Sequence, residues 1–285
     1  MVSGVEVLSA FRKSTAWGTA LALGAGHGIL FDAVSLSKKQ EKVKDDSSGL
    51  SHFKVADQGL IECAGDIPAE FRYDSFDVML ALVMGTAGAP TLVSTSLAYS
   101  NSYKLADNID GLFGTFVQKK GGVNIDEYPS VKILGFTLTG SKGQPLKITF
   151  NVICDDKDVS SAVNTSGTFA SVTYVETVNR VLFSQGVFRL ADRSTAVALV
   201  DGDKIYPSEF TLVYKRSLTG DHVSEGANKI TEPKNDGKPE CTLSLTFPSY
   251  STKTYLSDLG NDQRKMMDIV FTGGLIEDTS YRTFS

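Results

Sequence analysis

The stretch Leu60-Ile61-Glu62-Cys63-Ala64-Gly65-Asp66-Ile67-Pro68-Ala69-Glu70-Phe71-Arg72-Tyr73 decides the fold class. Ile61, Cys63, Ile67, Phe71 and Tyr73 fall on one parity; Glu62, Asp66, Glu70 and Arg72 fall on the other. A period of two is the signature of a strand with one face on a core and one in water, which is the antiparallel pattern. The charged set must take the wet face, because burying unpaired carboxylates costs several kcal/mol. A register slip of one residue would invert both sets at once. Pro68 carries no N–H, so it belongs at an edge, a bulge or a strand end.

The same alternation recurs along the chain. It is clear in Leu146-Lys147-Ile148-Thr149-Phe150-Asn151-Val152 and in Cys241-Thr242-Leu243-Ser244-Leu245-Thr246-Phe247. Phe210-Thr211-Leu212-Val213-Tyr214-Lys215 follows it with Val213 as the exception. Further strands are expected at 96–105, 112–118 and 131–139. A buried helix is predicted over 75–84, capped by Asp74 or Ser75 and stopped by Gly85, with a second over 252–259. The polar stretches 38–58 and 217–237 read as long loops, and 156–179 as a linker. The fold class is therefore mainly β, a sandwich of antiparallel sheets with one short helix per domain.

The order of events repeats. Strand 29–37, loop, Gly59, strand 60–73 and helix 75–84 are answered by strand 208–216, loop, Gly237, strand 239–248 and helix 252–259. Glu62-Cys63 matches Glu240-Cys241. The repeat predicts two sister domains, 1–155 and 180–285, joined by the 156–179 linker, with 29–85 and 208–273 superposing strand for strand. The second copy lacks counterparts of the strands at 96–154, so it is expected to be incomplete, and either weakly soluble or reliant on strands borrowed from residues 125–154 of its own or a neighbouring subunit.

Composition narrows the function. With 285 residues and 41% hydrophobic content the chain can bury a core without staples. A net charge of −5 argues against a general grip on nucleic acid. Cys63, Cys154 and Cys241 are too few and too scattered for a disulfide framework or a zinc cage, and a reducing compartment is the simplest reading. Residues 12–25 imitate a secretion signal, but the apolar stretch is short and broken by Gly18 and Thr19. No run of about 18 apolar residues is present, so no membrane-spanning helix is expected. His27, His52 and His222 stand at no metal spacing, and neither a phosphate-binding glycine loop nor a nucleophile elbow occurs. No catalytic residue, cofactor or metal is assigned.

Several segments carry a resemblance in their order. They are Ser9-Ala10-Phe11-Arg12-Lys13-Ser14-Thr15-Ala16-Trp17-Gly18-Thr19-Ala20, Leu105-Ala106-Asp107-Asn108, Glu127-Tyr128-Pro129-Ser130-Val131-Lys132, Tyr206-Pro207-Ser208-Glu209-Phe210, the block from Asn228 to Tyr250, and Asp258-Leu259-Gly260-Asn261-Asp262. Together they resemble the tail tube (major tail) proteins of long-tailed bacteriophages, from residue 4 to about 276. The resemblance implies a β-sandwich flanked by a helix, with long hairpin loops. It implies subunits that join their sheets around a ring, and rings that stack into a tube for DNA passage and ejection. A chain with two copies of the domain would form a trimer of sixfold outline. Implied partners are other copies of the chain, a tape measure protein and a tail terminator; double-stranded DNA passes without specific binding, and no membrane is involved. The implied location is the virion tail, with assembly in the host cytoplasm.

On this reading Glu62, Asp66, Glu70 and Arg72 are candidate lumen-facing residues. The candidate contacts between rings are Lys42, Lys44, Asp45 and Asp46 in the first loop, and His222, Lys229, Lys234 and Asp236 in the second. Two other classes stay open at this point. One is a lectin-like or fimbrial β-sandwich binding module, which would cluster aromatic residues on exposed loops. The other is a hydrolase, which would converge polar groups in a pocket.

Overall fold

A computed structural model describes residues 7–44, 56–87, 91–93, 98–121, 124–174, 179–193, 198–224, 228–249, 257–258, 261, 263–277 and 280–285. The strands are β1 (Val7–Lys13), β2 (Gly28–Ile29), β3 (Ser37–Lys44), β4 (Ala56–Glu70), β5 (Gly85–Ala87), β6 (Thr91–Leu92), β7 (Tyr99–Ser100), β8 (Tyr103–Leu105), β9 (Gly114–Lys120), β10 (Asn124–Ser141) and β11 (Lys147–Cys154). They continue with β12 (Gly186–Asp192), β13 (Lys204–Ile205), β14 (Glu209–Lys215), β15 (Leu218–Thr219), β16 (Lys234–Asn235), β17 (Glu240–Thr246), β18 (Lys265–Glu277) and β19 (Ser280–Phe284). The helices are α1 (Asp77–Met84) and the single turn α2 (Ser166–Phe169). The chain is mainly β, and every ladder between these strands is antiparallel.

Strand β10 is the spine. One side pairs with β11 from Val131 to Thr139. The other side pairs first with β9, up to Val131, and then with β14 from Gly135 to Ser141. The sheet therefore forks: β9, β1 and β2 leave at one end of β10, and β14 and β17 continue at the other. Gly135 sits at the fork because a side chain there would lie 2.2 Å from the Tyr214 carbonyl oxygen. Below the fork the order runs β3-β4-β11-β10-β14-β17.

A second sheet, β13-β12-β18-β19, closes the sandwich. Its Phe188 and Phe271 meet Phe210 of the first sheet at centroid separations of 5.4 and 5.9 Å. Phe284 of β19 stacks edge-on against Phe71 at 4.6 Å. Helix α1 fills the space beside them with Met79, Leu80, Leu82 and Val83, and ends at Gly85 in the left-handed region (φ +87°). Its first turn lacks the expected cap: Asp74 instead accepts from Asn179 and Arg282.

The alternation in 60–73 is realised. Ile61, Cys63, Ile67 and Phe71 are buried, while Glu62 and Asp66 are exposed and Glu70 is half-exposed. The repeat is not realised as two superposable units. β14 and β17 extend the sheet that holds β3 and β4, and in the opposite order: the second strand of the first hairpin lies inward, but the first strand of the second. Residues from both halves, Phe71 and Phe150 with Phe188, Tyr214 and Phe271, share one apolar core. Strand β14 pairs with β10 of the same chain. Residues 156–174 are no loose linker, since Asn164 is buried and bonds Leu21 and Leu23. The predicted helix at 252–259 lies almost wholly outside the described residues.

Candidate functional site: a polar sheet face, a projecting arm and an open edge

The face of the sheet turned away from the core is set by parity. Asp66, Asn151 and Lys215 lie at one level, Thr149, Thr137 and Thr242 at the next, and Lys147, Thr139, Thr211 and Ser244 at the third. Small hydroxyl side chains dominate, and Asn151 donates to Asp66 at 2.7 Å. Glu62, Asp66, Glu70, Glu209 and Glu240 are nearly balanced there by Lys39, Lys147 and Lys215, with Arg180 on Glu70 at 3.1 Å. Arg72 departs from its expected place. It is buried to 9% exposure beside Glu70, because residues 179–182 lie across it and pair with Phe71 and Tyr73. Burial pushes its pKa down.

The expected loop 38–58 is largely an arm. β3 and the start of β4 form a hairpin whose lysines Lys39, Lys42 and Lys44 are exposed, along with Val43 and Leu60. Alternating long side chains that cannot bury still satisfy their backbones by pairing, which is why a polar run became a strand. The expected strand over 29–37 is reduced to β2 and the first residue of β3. Asp45 and Asp46 lie outside the described residues.

The second loop clasps the root of this arm. Ile61 donates its N–H to the Asn228 carbonyl at 2.8 Å, Asn228 donates to Gln58 at 3.1 Å, and His222 contacts the Ile61 carbonyl at 3.3 Å. Lys229 and Lys38 share Asp156 at 2.9 and 2.6 Å. Burial alone would raise the Asp156 pKa, but the two ammonium groups bring it below the usual carboxylate range. Trp17 fixes the loop from the other side through the Ile230 carbonyl at 2.9 Å. His222 and Lys229 are thus engaged within the subunit, Lys234 is exposed on β16, and Asp236 accepts from Thr219.

Three buried polar residues were not singled out in the sequence. Lys132 pairs with Glu232 beneath the loop. Arg216 donates to the Val83, Met84 and Ala106 carbonyls at 3.0, 3.2 and 2.8 Å, capping the C-terminal end of α1. Asp155 accepts from the Ser130 N–H at 2.9 Å while its other oxygen has no partner, and burial raises its pKa to about 6.

The outermost strand is β17. It pairs with β14 on one side only among the described strands, and its residues are exposed on both faces apart from half-buried Leu245. An unpaired edge of this length is a template for another strand. Among the described residues no three metal-ligating side chains gather.

Residues 4–284 match the phage tail tube protein family. The chain belongs to that family. It is a structural subunit of a phage tail tube, located in the virion tail, and its role is self-assembly into a tube together with other tail components. A tail tube role leaves the binding-module reading unfavoured and is non-enzymatic. The chain matches none of the curated proteins with which it was compared.

Proposed function

We propose that tail tube subunits join edge to edge, through β17 and β3, so that the polar face of β4, β11, β10 and β14 lines a bore for double-stranded DNA. The observation that carries this reading is a sheet whose edges are open among the described strands, with an outward face of Thr, Asn and nearly balanced charges. Such a lining offers phosphates few cationic sites, so DNA passes without the counterion release that would hold it. Glu62, Asp66 and Glu70 would face the bore; Arg72 would sit at its margin, neutralising Glu70. The arm, with Lys42 and Lys44, would reach the neighbouring ring, with Asp45, Asp46, Lys234 and Asp236 flanking the contact and His222 and Lys229 steadying its base. Tape measure and tail terminator proteins would meet the tube inside and at its end, and assembly would take place in the host cytoplasm.

Each half of the chain supplies one hairpin to the wall, β3–β4 and β14–β17. Two hairpins per chain would make a ring of three with a sixfold outline. Negative-stain microscopy of concentrated protein tests the tube, and native mass measurement tests the count. Persistent monomers under all conditions would overturn the tube reading; rings of six would overturn the count alone.

A further inference from the structure

We propose that Cys63 and Cys154 form an oxidation site, closing a disulfide across the last rung between β4 and β11 at the root of the arm. The two are register partners on adjacent antiparallel strands, both turned into the core, at 2% and 0% exposure. Burial pushes the Cys154 pKa up, and the neighbouring Cys63 thiol adds to the rise. Directly opposed residues on such strands hold their Cα atoms about 4.5–5.5 Å apart. That lies inside the window of about 4.4–6.8 Å that a disulfide spans, so the backbone need not move. Cys241 is exposed on β17 and belongs to a different strand pair.

The oxidant is hydrogen peroxide, small enough to reach a packed interior. The Cys63 sulfur, as thiolate, attacks one peroxide oxygen. The O–O bond breaks, hydroxide leaves and takes up the proton that Cys63 released, and Cys63 becomes a sulfenic acid. The Cys154 sulfur then attacks the Cys63 sulfur; the sulfenic oxygen departs with the Cys154 proton as water. Two thiols and one peroxide give one disulfide and two waters. Thiols made in a reducing cytosol meet oxidant once a particle is released, and burial makes the step slow. The bond would tie the strand that continues into the arm to the strand beside the spine.

The test uses the full chain, purified with reductant, freed of it, and exposed natively to excess hydrogen peroxide. Remaining thiols are then alkylated in denaturant before intact mass and non-reducing peptide mapping. The expected result is a loss of two hydrogens, a linked peptide pair containing Cys63 and Cys154, and a Tm several degrees higher that falls back with dithiothreitol. Cys63→Ser removes the linked pair where that variant folds, and the wild-type map decides the matter where it does not. Free alkylation of both residues, separate sulfinic acids, or links only through Cys241 overturn the proposal. None of these outcomes depends on whether tubes form.

Discussion

Lys132, whose side chain has no exposed surface, places its ammonium on the Glu232 carboxylate, and the same Glu232 oxygen accepts the Gly111 N–H at 2.7 Å. One residue of the long loop thus holds the spine strand and the turn after β8 together. Removing one partner leaves a buried charge uncompensated, at a cost of about 3–5 kcal/mol. Glu232→Gln should therefore lower urea stability by that order, whereas replacing the whole pair, Lys132→Met with Glu232→Leu, should stay within about 1 kcal/mol of wild type or exceed it. Equal losses in both would show that the pair is a net attraction rather than a buried charge kept satisfied.

Arg216 gives a second prediction. Its guanidinium donates to three carbonyls, two of them at the C-terminal turn of α1. Hydrogen bonds from charged groups contribute about 1.5–3 kcal/mol each, though not additively. Arg216→Ala should cost about 3 kcal/mol, and Arg216→Lys should recover only part because it lacks the planar fork. Amide exchange should accelerate in α1 and in 105–108 before the central strands; uniform acceleration would mean that Arg216 supports the whole fold instead.

What could be read from the sequence was whatever a local period encodes. The parity of Ile61 to Phe71 placed the core and the wet face of β4, and Gly85 marked the end of α1. The partner of each strand was not encoded locally. Val131-Lys132-Ile133 reads as a strand with its lysine in water; only the return of Glu232 from a distant loop makes it buried. Likewise Arg72 keeps the outward parity of Glu70 but is covered by 179–182, and nothing in its own neighbourhood announces that cover. The repeat was a likeness of hairpins, which one sheet can accept on either side of a central pair without building a second domain.

Asp155 should make stability fall as pH rises. Burial raises its folded pKa to about 6, from about 3.9 for a free carboxyl. The folded state therefore holds more protons than the unfolded state between those values. The contribution is fully present below the unfolded pKa and is lost as pH rises through about 6. Asp155→Asn keeps the acceptor for Ser130 N–H and removes the charge. It should gain on the order of 2 kcal/mol above neutral pH, and the gain should shrink towards pH 4. Denaturation midpoints of both proteins across that range check it; a constant difference would rule the titration out.

The open edge of β17 yields the sharpest prediction about assembly. Arg216 donates its N–H to the Leu134 carbonyl, so even-numbered residues of β14 face β10 and odd-numbered ones face β17. The rungs Glu209–Thr246, Thr211–Ser244, Val213–Thr242 and Lys215–Glu240 then hold β17 in place. The backbone groups of Cys241, Leu243 and Leu245 are left pointing to the unpaired side. Proline removes a donor and cannot serve a strand that pairs there. Leu243→Pro deletes an outward N–H while leaving the β14 rungs intact, and Leu243 is already 37% exposed. The isolated subunit should keep its fold, with stability changed by no more than about 1 kcal/mol, yet fail to form rings or tubes. Ser244→Pro, one residue on, breaks a rung with β14 and should destabilise the subunit itself by about 3 kcal/mol. Sedimentation and negative-stain microscopy read the first effect, and thermal melting reads the second. Normal tubes from Leu243→Pro would place the joint between subunits elsewhere on the sheet.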